Sequence, residues 1–173
     1  MADDNLFAID LVTPERVLLN GLASEVILRT AEGDVTFLAG HTPLVGTVEP
    51  GVLRVVRAEG VVERVAVHGG FVQVEQGVPY GDAAPDLPDD ASGTKVTLLI
   101  GVAELAEEID AERARAALEA SESRLSELGG TGGRAATGAG EAEEPDAELV
   151  EAQAALLRAQ VRLEATEAAP ATA

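Results

Sequence analysis

The chain changes from one repeating pattern to another near Gly101. Before this residue, short runs rich in Val, Leu and Ile are separated by Gly or Pro. Beyond it, Ala, Glu, Leu and Arg dominate, and apolar residues recur every three or four positions. A period of two is typical of β-strands and a period near 3.6 of α-helices. The sequence therefore predicts a strand-rich module followed by a helical one.

The strand-like runs before Gly101 are short, closely spaced and have no helices between them. Such a series is typical of antiparallel sandwiches and barrels rather than of parallel sheets. We predict an N-terminal antiparallel β-sandwich over residues 1–101, long enough to bury a core of its own. The predicted strands are Leu6–Val12, Arg16–Leu19, Leu22–Thr30, Asp34–Leu38, Val45–Val48, Val52–Arg57, Val61–Val67, Phe71–Glu75 and Lys95–Ile100.

Residues 77–93 interrupt the strand pattern with three prolines and four aspartates. These residue types favour turns, so we predict a flexible surface loop here. The aspartates lack the alternation and the fixed glycine of a calcium-binding EF-hand loop. Because the chain also has no cysteine and no paired histidine, no metal site is predicted.

Residues 102–173 predict an antiparallel two-helix hairpin. A glycine-rich linker at 129–144 separates the helices, and the tail at 168–173 is expected to fray. Alanine buries less apolar surface than leucine, so we expect weak pairing of the helices. Two interpretations stay open: a rigid hairpin, and one whose helices separate when a better partner is present. The inward-facing series are Ala111, Ala114, Leu118, Ser121, Leu125 and Leu128, and Leu149, Ala152, Leu156, Ala159 and Leu163.

An excess of acidic residues restricts the possible partners. The chain has 31 Asp and Glu against 12 Lys and Arg, a formal net charge of −19. This charge repels nucleic acid and anionic lipid at long range, so neither is expected as a partner. The start of the chain lacks the apolar segment of a secretion signal, and no apolar run reaches the roughly 18 residues of a membrane span. We expect a cytoplasmic protein without direct membrane insertion.

No catalytic constellation is visible in the sequence. His41 and His68 occupy turn-like segments, and neither has a serine or carboxylate at a spacing that suggests a triad. No GxxxxGK[ST] or GxGxxG element follows a strand. The residues indicate no catalytic group and no required cofactor; nothing in them supports an enzyme, and on their own they leave that class open.

One cluster on the predicted hairpin offers a site for a polyphosphate. Arg158 and Arg162 are four residues apart and share one face of the second helix. In an antiparallel hairpin the start of the first helix, with Asp110 and Arg113, lies beside them, and carboxylates such as Glu104 are available to a base or a hydroxyl. The alternative is that these residues form solvated ion pairs worth about 0 to 1 kcal/mol each.

Several motifs occur in the order seen in the epsilon subunit of F-type ATP synthases, and the chain resembles this family over nearly its whole length. The exceptions are the loop at 77–93 and the linker at 129–144. The motifs are LVTPER at Leu11–Arg16, EGD at Glu32–Asp34, GHTPL at Gly40–Leu44, PG at Pro50–Gly51, HGGF at His68–Phe71 and IDAERA at Ile109–Ala114.

The resemblance implies a non-catalytic rotor subunit of a proton-driven ATP synthase. Its sandwich would bind the gamma subunit and the c-ring, with Asp34 in an acidic loop that touches the c-ring and His41 in the loop that faces the stalk. Its hairpin would be folded in one state and would extend into the alpha/beta catalytic head in another, where it impedes ATP hydrolysis. The expected location is the cytoplasmic face of the energy-coupling membrane, as a peripheral part of the complex.

The resemblance also makes ATP a candidate regulatory ligand. In family members whose folded hairpin binds ATP, the site includes an I/L-D-x-x-R-A motif and two arginines of the second helix. A further basic position of the first helix is Ala120 here. The competing hypothesis is a free-standing soluble nucleotide-sensing adaptor that uses the same arginines. The matching residues are Ile109, Asp110, Arg113, Ala114, Arg158 and Arg162, with Glu104 at the position of an upstream acidic contact.

Overall fold

The computed structural model describes residues 6–58, 60–83, 92–131 and 146–167. The chain divides into two units, Met1–Glu108 and Ile109–Ala173. The second unit holds α1 (Ala111–Thr131) and α2 (Ala147–Thr166). The strands described in the first unit are β1 (Phe7–Val12), β2 (Val17–Ala23), β3 (Glu25–Thr30), β4 (Gly33–Phe37), β5 (Leu44–Val48), β6 (Gly51–Val56), β7 (Val62–Val67), β8 (Gly70–Pro79), β9 (Ser92–Ile100) and β10 (Ala103–Leu105). The predicted fold class, a β-sandwich followed by a two-helix hairpin, is confirmed.

The described strands form one continuous sheet that turns at β3. Their order is β10-β7-β6-β3-β5-β8-β9-β1-β2, and β4 also pairs with β3. The first half of β3 pairs with β6, whereas its last residue, Thr30, pairs with Val48 of β5. The described pairs are antiparallel except that of β1 with β9, which is parallel. These two strands are far apart in the chain, so no hairpin constrains their relative direction.

The core of the sandwich is built by alternation along the strands. In β8, Val72 and Val74 are buried, whereas Phe71, the residue before Val72, is exposed. Phe7 and Phe37 are among the largest side chains with no exposed surface. Each such buried side chain stabilises the fold by about 1.5 to 3 kcal/mol, which lets a chain with few aromatic residues hold a core.

The predicted loop at 77–93 is shorter in the structure. Gly77–Pro79 continue β8, and Val78 lies opposite Gly93 at the beginning of β9. The flanks of the loop therefore pair through backbone hydrogen bonds, which proline and aspartate content does not reveal. Residues 84–91 lie outside the described residues.

The helical pattern expected from Val102 begins later than predicted. Ala103–Leu105 form β10, an edge strand paired with β7, and a short 3-10 turn at Ala106–Glu108 precedes α1. Three residues of edge strand are held by backbone hydrogen bonds and carry no clear periodic signal. At its other end α1 continues to Thr131, into the predicted linker. Residues 132–144 of that linker and the tail at 168–173 lie outside the described residues.

Both helices begin at an aspartate cap. Asp110 Oδ1 accepts hydrogen bonds from the backbone N–H groups of Glu112 and Arg113, each at 3.0 Å. Asp146 Oδ1 accepts one from Glu148 N, also at 3.0 Å. A side chain in this position satisfies backbone donors that have no partner within the helix and contributes about 1 kcal/mol.

The two helices pair in the antiparallel sense. Arg124, late in α1, forms an ion pair of 2.6 Å with Glu148 in the first turn of α2. The inward-facing series predicted for α1 is confirmed, because its six members are the described α1 side chains that are not exposed. Ala114, Ala152 and Ala159 are buried, so small side chains form much of the contact and each contributes less than a leucine would.

Candidate functional site

Strand β4 places one predicted partner-contact residue near its beginning. Asp34 is its second residue and lies opposite Arg29 of β3. Arg29 Nε donates a hydrogen bond of 2.9 Å to Asp34 Oδ1, and both side chains are exposed. This hydrogen bond, and then the positive charge itself, lowers the pKa of Asp34 below its ordinary value of 3.8. Asp34 is therefore an accessible carboxylate at neutral pH, oriented by Arg29.

The second predicted contact residue, His41, lies beyond the other end of β4. Its ring packs edge-on against Phe37, with centroids 4.9 Å apart and an interplanar angle of 71°. Its Nδ1 is 2.8 Å from the carbonyl oxygen of Thr42. Three residue steps of extended chain, about 10 Å, separate Asp34 from Phe37, so Asp34 and His41 lie at opposite ends of β4.

One layer of the sandwich carries apolar side chains on its outer surface. Val17 of β2, Val45 of β5, Phe71 of β8 and Leu99 of β9 are 57%, 72%, 58% and 51% exposed. Phe71 lies directly opposite Leu99, and Val12 of β1 lies opposite both Leu99 and Val17. We call Val17, Val45, Phe71 and Leu99 the apolar face. Exposed apolar patches of this kind are typical of protein–protein interfaces.

The apolar face was not predicted from the sequence, although the sequence contains a signal for it. Leu98, Leu99 and Ile100 are consecutive apolar residues of one strand. Successive strand residues point to opposite faces, so at least one of the three must point away from the core. Leu98 and Ile100 are buried and Leu99 is exposed. A run of this kind therefore predicts a strand with apolar surface on both of its faces.

The hairpin brings the predicted nucleotide-binding residues of the second unit to one end. Arg113 lies eleven residues before Arg124, and Ala159 lies eleven residues after Glu148. In an antiparallel pair these positions share one level, away from the ends that the linker joins. The residues at or next to this level are Ile109, Asp110, Arg113, Ala114, Arg158 and Arg162.

These residues differ in how available their side chains are. The guanidinium groups of Arg113 and Arg158 are exposed and form no hydrogen bond or ion pair within the described ranges. Asp110 already caps α1, and Ala114 is buried. Glu104 lies in the first unit, on β10, opposite Ala66 of β7.

A cavity of about 400 Å³ lies between the helices nearer to the linker. Its lining includes Ala120, Arg124, Glu148 and Glu151. The charge of Arg124 is balanced by Glu148 at 2.6 Å and Glu127 at 3.4 Å. The cavity therefore offers no excess positive charge to a phosphate, and Ala120 in its lining contributes none.

The described ranges hold neither a metal-binding cluster nor a membrane-spanning helix. They contain no group of three or more His, Asp or Glu side chains arranged to hold a metal ion. Neither α1 nor α2 combines the length and the apolar character that crossing a membrane demands.

Two family models match the chain. The model described as "ATP synthase, Delta/Epsilon chain, beta-sandwich domain" matches residues 6–78, and "ATP synthase, Delta/Epsilon chain, long alpha-helix domain" matches residues 107–167. The chain is 43% identical over 124 residues to the ATP synthase epsilon chain of Thermobifida fusca, which covers 70% of this chain and 79% of that one. The chain belongs to the ATP synthase epsilon chain family.

A second epsilon chain, from Prochlorococcus marinus, matches with 34% identity over 157 residues, which is 91% of this chain and 96% of that one. The resemblance seen in the sequence motifs is thus confirmed. As an epsilon chain, the protein is an accessory subunit of an ATP synthase and is not itself catalytic.

Solved structures support the fold. A chain of the Euglena gracilis mitochondrial ATP synthase (OSCP/F1/c-ring) superposes with a TM-score of 0.61 at 24% identity, covering 91% of this chain and 78% of that one. A chain of the Tetrahymena thermophila mitochondrial ATP synthase central stalk/c-ring gives 0.50 at 14% identity, with coverages of 92% and 96%. At these identities the similarity establishes a shared fold.

The Arg29–Asp34 pair predicts an altered titration. Arg29→Gln should raise the pKa of Asp34 toward 3.8, because it removes the positive charge and replaces a charge-assisted hydrogen bond with a neutral one. A lowered folded-state pKa stabilises the fold above the unfolded-state pKa, and this contribution disappears as pH falls through the folded-state value. Carboxyl NMR titration measures the pKa directly. Arg16→Gln, which removes an exposed arginine paired with Glu108, should leave it unchanged, and an unaltered titration in Arg29→Gln would contradict the assignment.

Proposed function

We propose that the chain is a non-catalytic rotor subunit of a proton-driven rotary ATP synthase, which couples the c-ring to the catalytic head through the central stalk. Its membership of the epsilon family supports this role. The superposed Tetrahymena chain comes from a central stalk and c-ring assembly. The protein would act at the cytoplasmic face of the energy-coupling membrane, as a peripheral component without membrane insertion.

The apolar face is the observation that carries the proposed docking to the gamma subunit. Phe71 and Leu99 form a cross-strand pair in which each side chain is more than half exposed. A docked partner would remove this surface from water, which is worth about 25 cal/mol per Å² of apolar area. Val45 belongs to β5, which begins three residues after His41. The proposed gamma interface therefore runs from the apolar face to the His41 loop.

Asp34 supports a second contact, with the c-ring. It lies at the end of β4 away from the His41 loop, so one sandwich could contact gamma and the c-ring with different surfaces. Its exposed carboxylate is already oriented by Arg29, which lowers the side-chain entropy lost on docking.

Phe71→Asp should weaken binding of the full chain to the cognate gamma subunit by at least about 30-fold. The substitution removes a large apolar contact and forces a carboxylate into the interface. Isothermal titration calorimetry measures the affinity. Val61→Asp is the matched control, because Val61 is also exposed, at 55%, but lies in the β6–β7 connection outside the apolar face.

Equal affinity of the Phe71→Asp and Val61→Asp variants would contradict docking through the apolar face. A wild-type chain that binds ATP but does not bind gamma would favour the competing hypothesis of a free-standing nucleotide-sensing adaptor.

We propose further that the hairpin regulates ATP hydrolysis by changing between a folded form and a form that extends into the alpha/beta head. The alanine-rich contact between α1 and α2 supports this, because little apolar area is lost when the helices separate. The Arg124–Glu148 ion pair joins the helices near the linker, but its side chains are 52% and 64% exposed. Exposed pairs contribute about 0 to 1 kcal/mol, so this contact biases the equilibrium without locking it.

Arg124→Glu should increase inhibition of ATP hydrolysis in the reconstituted complex, because it places two carboxylates together and favours separation of the helices. An effect of about two- to fivefold on the folded-to-extended ratio corresponds to an exposed ion pair. Arg115→Glu, with the same change in net charge on an exposed side chain of α1, is the control.

Adding Glu148→Arg to Arg124→Glu should restore part of the normal activity by reversing the ion pair. The restoration is partial because an arginine in the first turn of α2 is unfavourable at the positive end of the helix dipole. Hydrolysis rates that do not distinguish Arg124→Glu from Arg115→Glu would exclude this contact from the equilibrium.

ATP is proposed as a regulatory ligand that favours the folded hairpin. The two exposed arginines without a described partner, Arg113 and Arg158, lie at one level of the hairpin together with Arg162. Three guanidinium groups suit a polyphosphate, which accepts several charge-assisted hydrogen bonds. Asp110 would contribute through the oxygen that does not cap α1.

The variant Arg158→Ala with Arg162→Ala should abolish the protection from hydrogen exchange that ATP gives to the hairpin amides. Removing two of three cations leaves too little charge to hold the phosphates. Arg115→Ala should retain the protection, since Arg115 is an exposed α1 arginine that is not part of the cluster. Undiminished protection in the double variant would remove these arginines from the site.

A further inference from the structure

A buried hydroxyl of β9 anchors the His41 loop, which connects β4 and β5. Thr94 is 4% exposed, and its Oγ1 accepts a hydrogen bond of 2.7 Å from Gly40 N. The same oxygen accepts one of 2.8 Å from Gln76 Nε2. Gln76 Nε2 also donates to the carbonyl oxygen of His41. We call Thr94 and Gln76 the loop clamp.

Gln76 follows the last regular pair of β8 and β9, Glu75 with Lys95, and therefore lies beside Thr94. The register between β8 and β9 shifts between Glu75 and Val78, and Gly77 has φ of +68°. Gln76 continues the alternation of Val72 and Val74, so its side chain lies on the face of the sheet to which Thr94 also belongs. Gln76 thereby reaches the loop before β5, which is not adjacent to it in the chain.

The clamp holds a loop segment with few other constraints. Gly40 has φ of +80°, and no atom lies within 4 Å of the position that a Cβ would take, so contacts of a side chain do not define this backbone. Within the loop, His41 N donates to Leu38 O at 3.1 Å. The polar contacts with Thr94 and Gln76 tie this local turn to the β8–β9 pair, the two strands that carry Phe71 and Leu99.

We infer that Thr94 and Gln76 are positioning residues for docking of the gamma subunit. They fix the conformation of the His41 loop at the border of the apolar face. This inference rests on the proposed function. Neither residue needs to touch gamma. If the loop adopts its docking conformation only part of the time, the measured Kd rises in inverse proportion to that fraction. Loss of the clamp should therefore weaken docking, because the unbound chain then spends less time in the docking conformation.

The test compares Thr94→Val with Thr94→Ser and Thr30→Val in the full chain. Valine keeps the shape of threonine but removes the acceptor, whereas serine keeps the hydroxyl. Thr30 is the matched control, because it is a second buried threonine, 7% exposed, whose Oγ1 hydrogen bonds to Gly33 O at the other end of β4. The readouts are amide exchange at Gly40 in the free chain, thermal stability, and calorimetric Kd for the cognate gamma subunit.

We expect Thr94→Val to accelerate exchange at Gly40 and to raise the Kd about tenfold. Thr94→Ser should bind within about twofold of wild type. Thr30→Val should lose stability without a change in the Kd for gamma, which separates positioning from a general loss of fold. Gln76→Glu should weaken binding as well, since it removes both donors while leaving Thr94 in place, and so tests the clamp without a core substitution.

Unchanged exchange at Gly40 in Thr94→Val would refute the clamp itself. Faster exchange with an unchanged Kd would refute the positioning role while leaving docking to gamma intact. A wild-type chain that does not bind gamma would refute the proposed docking and the positioning role together, so the two failures are distinguishable.

Discussion

Alternation along β9 is the constraint on which the first unit depends. Thr94, Val96, Leu98 and Ile100 all point to the buried side of this strand. Because neighbouring side chains point to opposite faces, Leu99 must then point outward. One strand thus supplies a central part of the core, part of the apolar face, and one hydroxyl that enters the interior. A hydroxyl there needs partners, and the His41 loop and Gln76 provide them.

The second unit is held by a different balance of forces. Both helices have aspartate caps that fix where they begin, but the contact between them is made largely by alanine and by partly covered leucine. Its ion pair of Arg124 with Glu148 is exposed to solvent. Helix formation and helix pairing are therefore separable here. The individual helices have defined starts, while the contact between them buries little apolar area per residue.

Much of this organisation follows from the sequence, and the parts that do not have physical reasons. The inward-facing series of α1 was predictable because a period of 3.6 specifies a face directly. Strand β10 was not, since three residues are too few to show an alternating pattern. The apolar face could have been inferred from Leu98–Ile100 by asking which of three apolar residues faces outward. The loop clamp could not, because the distance between Gly40 and Thr94 depends on how β4, β8 and β9 pack together. The helix cap by Asp110 was not predicted either, because this residue was assigned to the predicted nucleotide site.

At each end of β4, a buried threonine hydroxyl forms hydrogen bonds with the adjoining turn. At the end near Asp34, the buried hydroxyl of Thr30 donates to Gly33 O at 2.9 Å and accepts from Glu32 N at 3.3 Å. At the end near His41, the buried hydroxyl of Thr94 receives the loop. A threonine inside a sheet sacrifices some apolar burial, and its hydroxyl would be costly if left unbonded. The two turns are thus coupled to the core, because an alternative turn conformation would leave a buried hydroxyl without a hydrogen bond. Surface turns can in this way stay ordered without large contacts of their own.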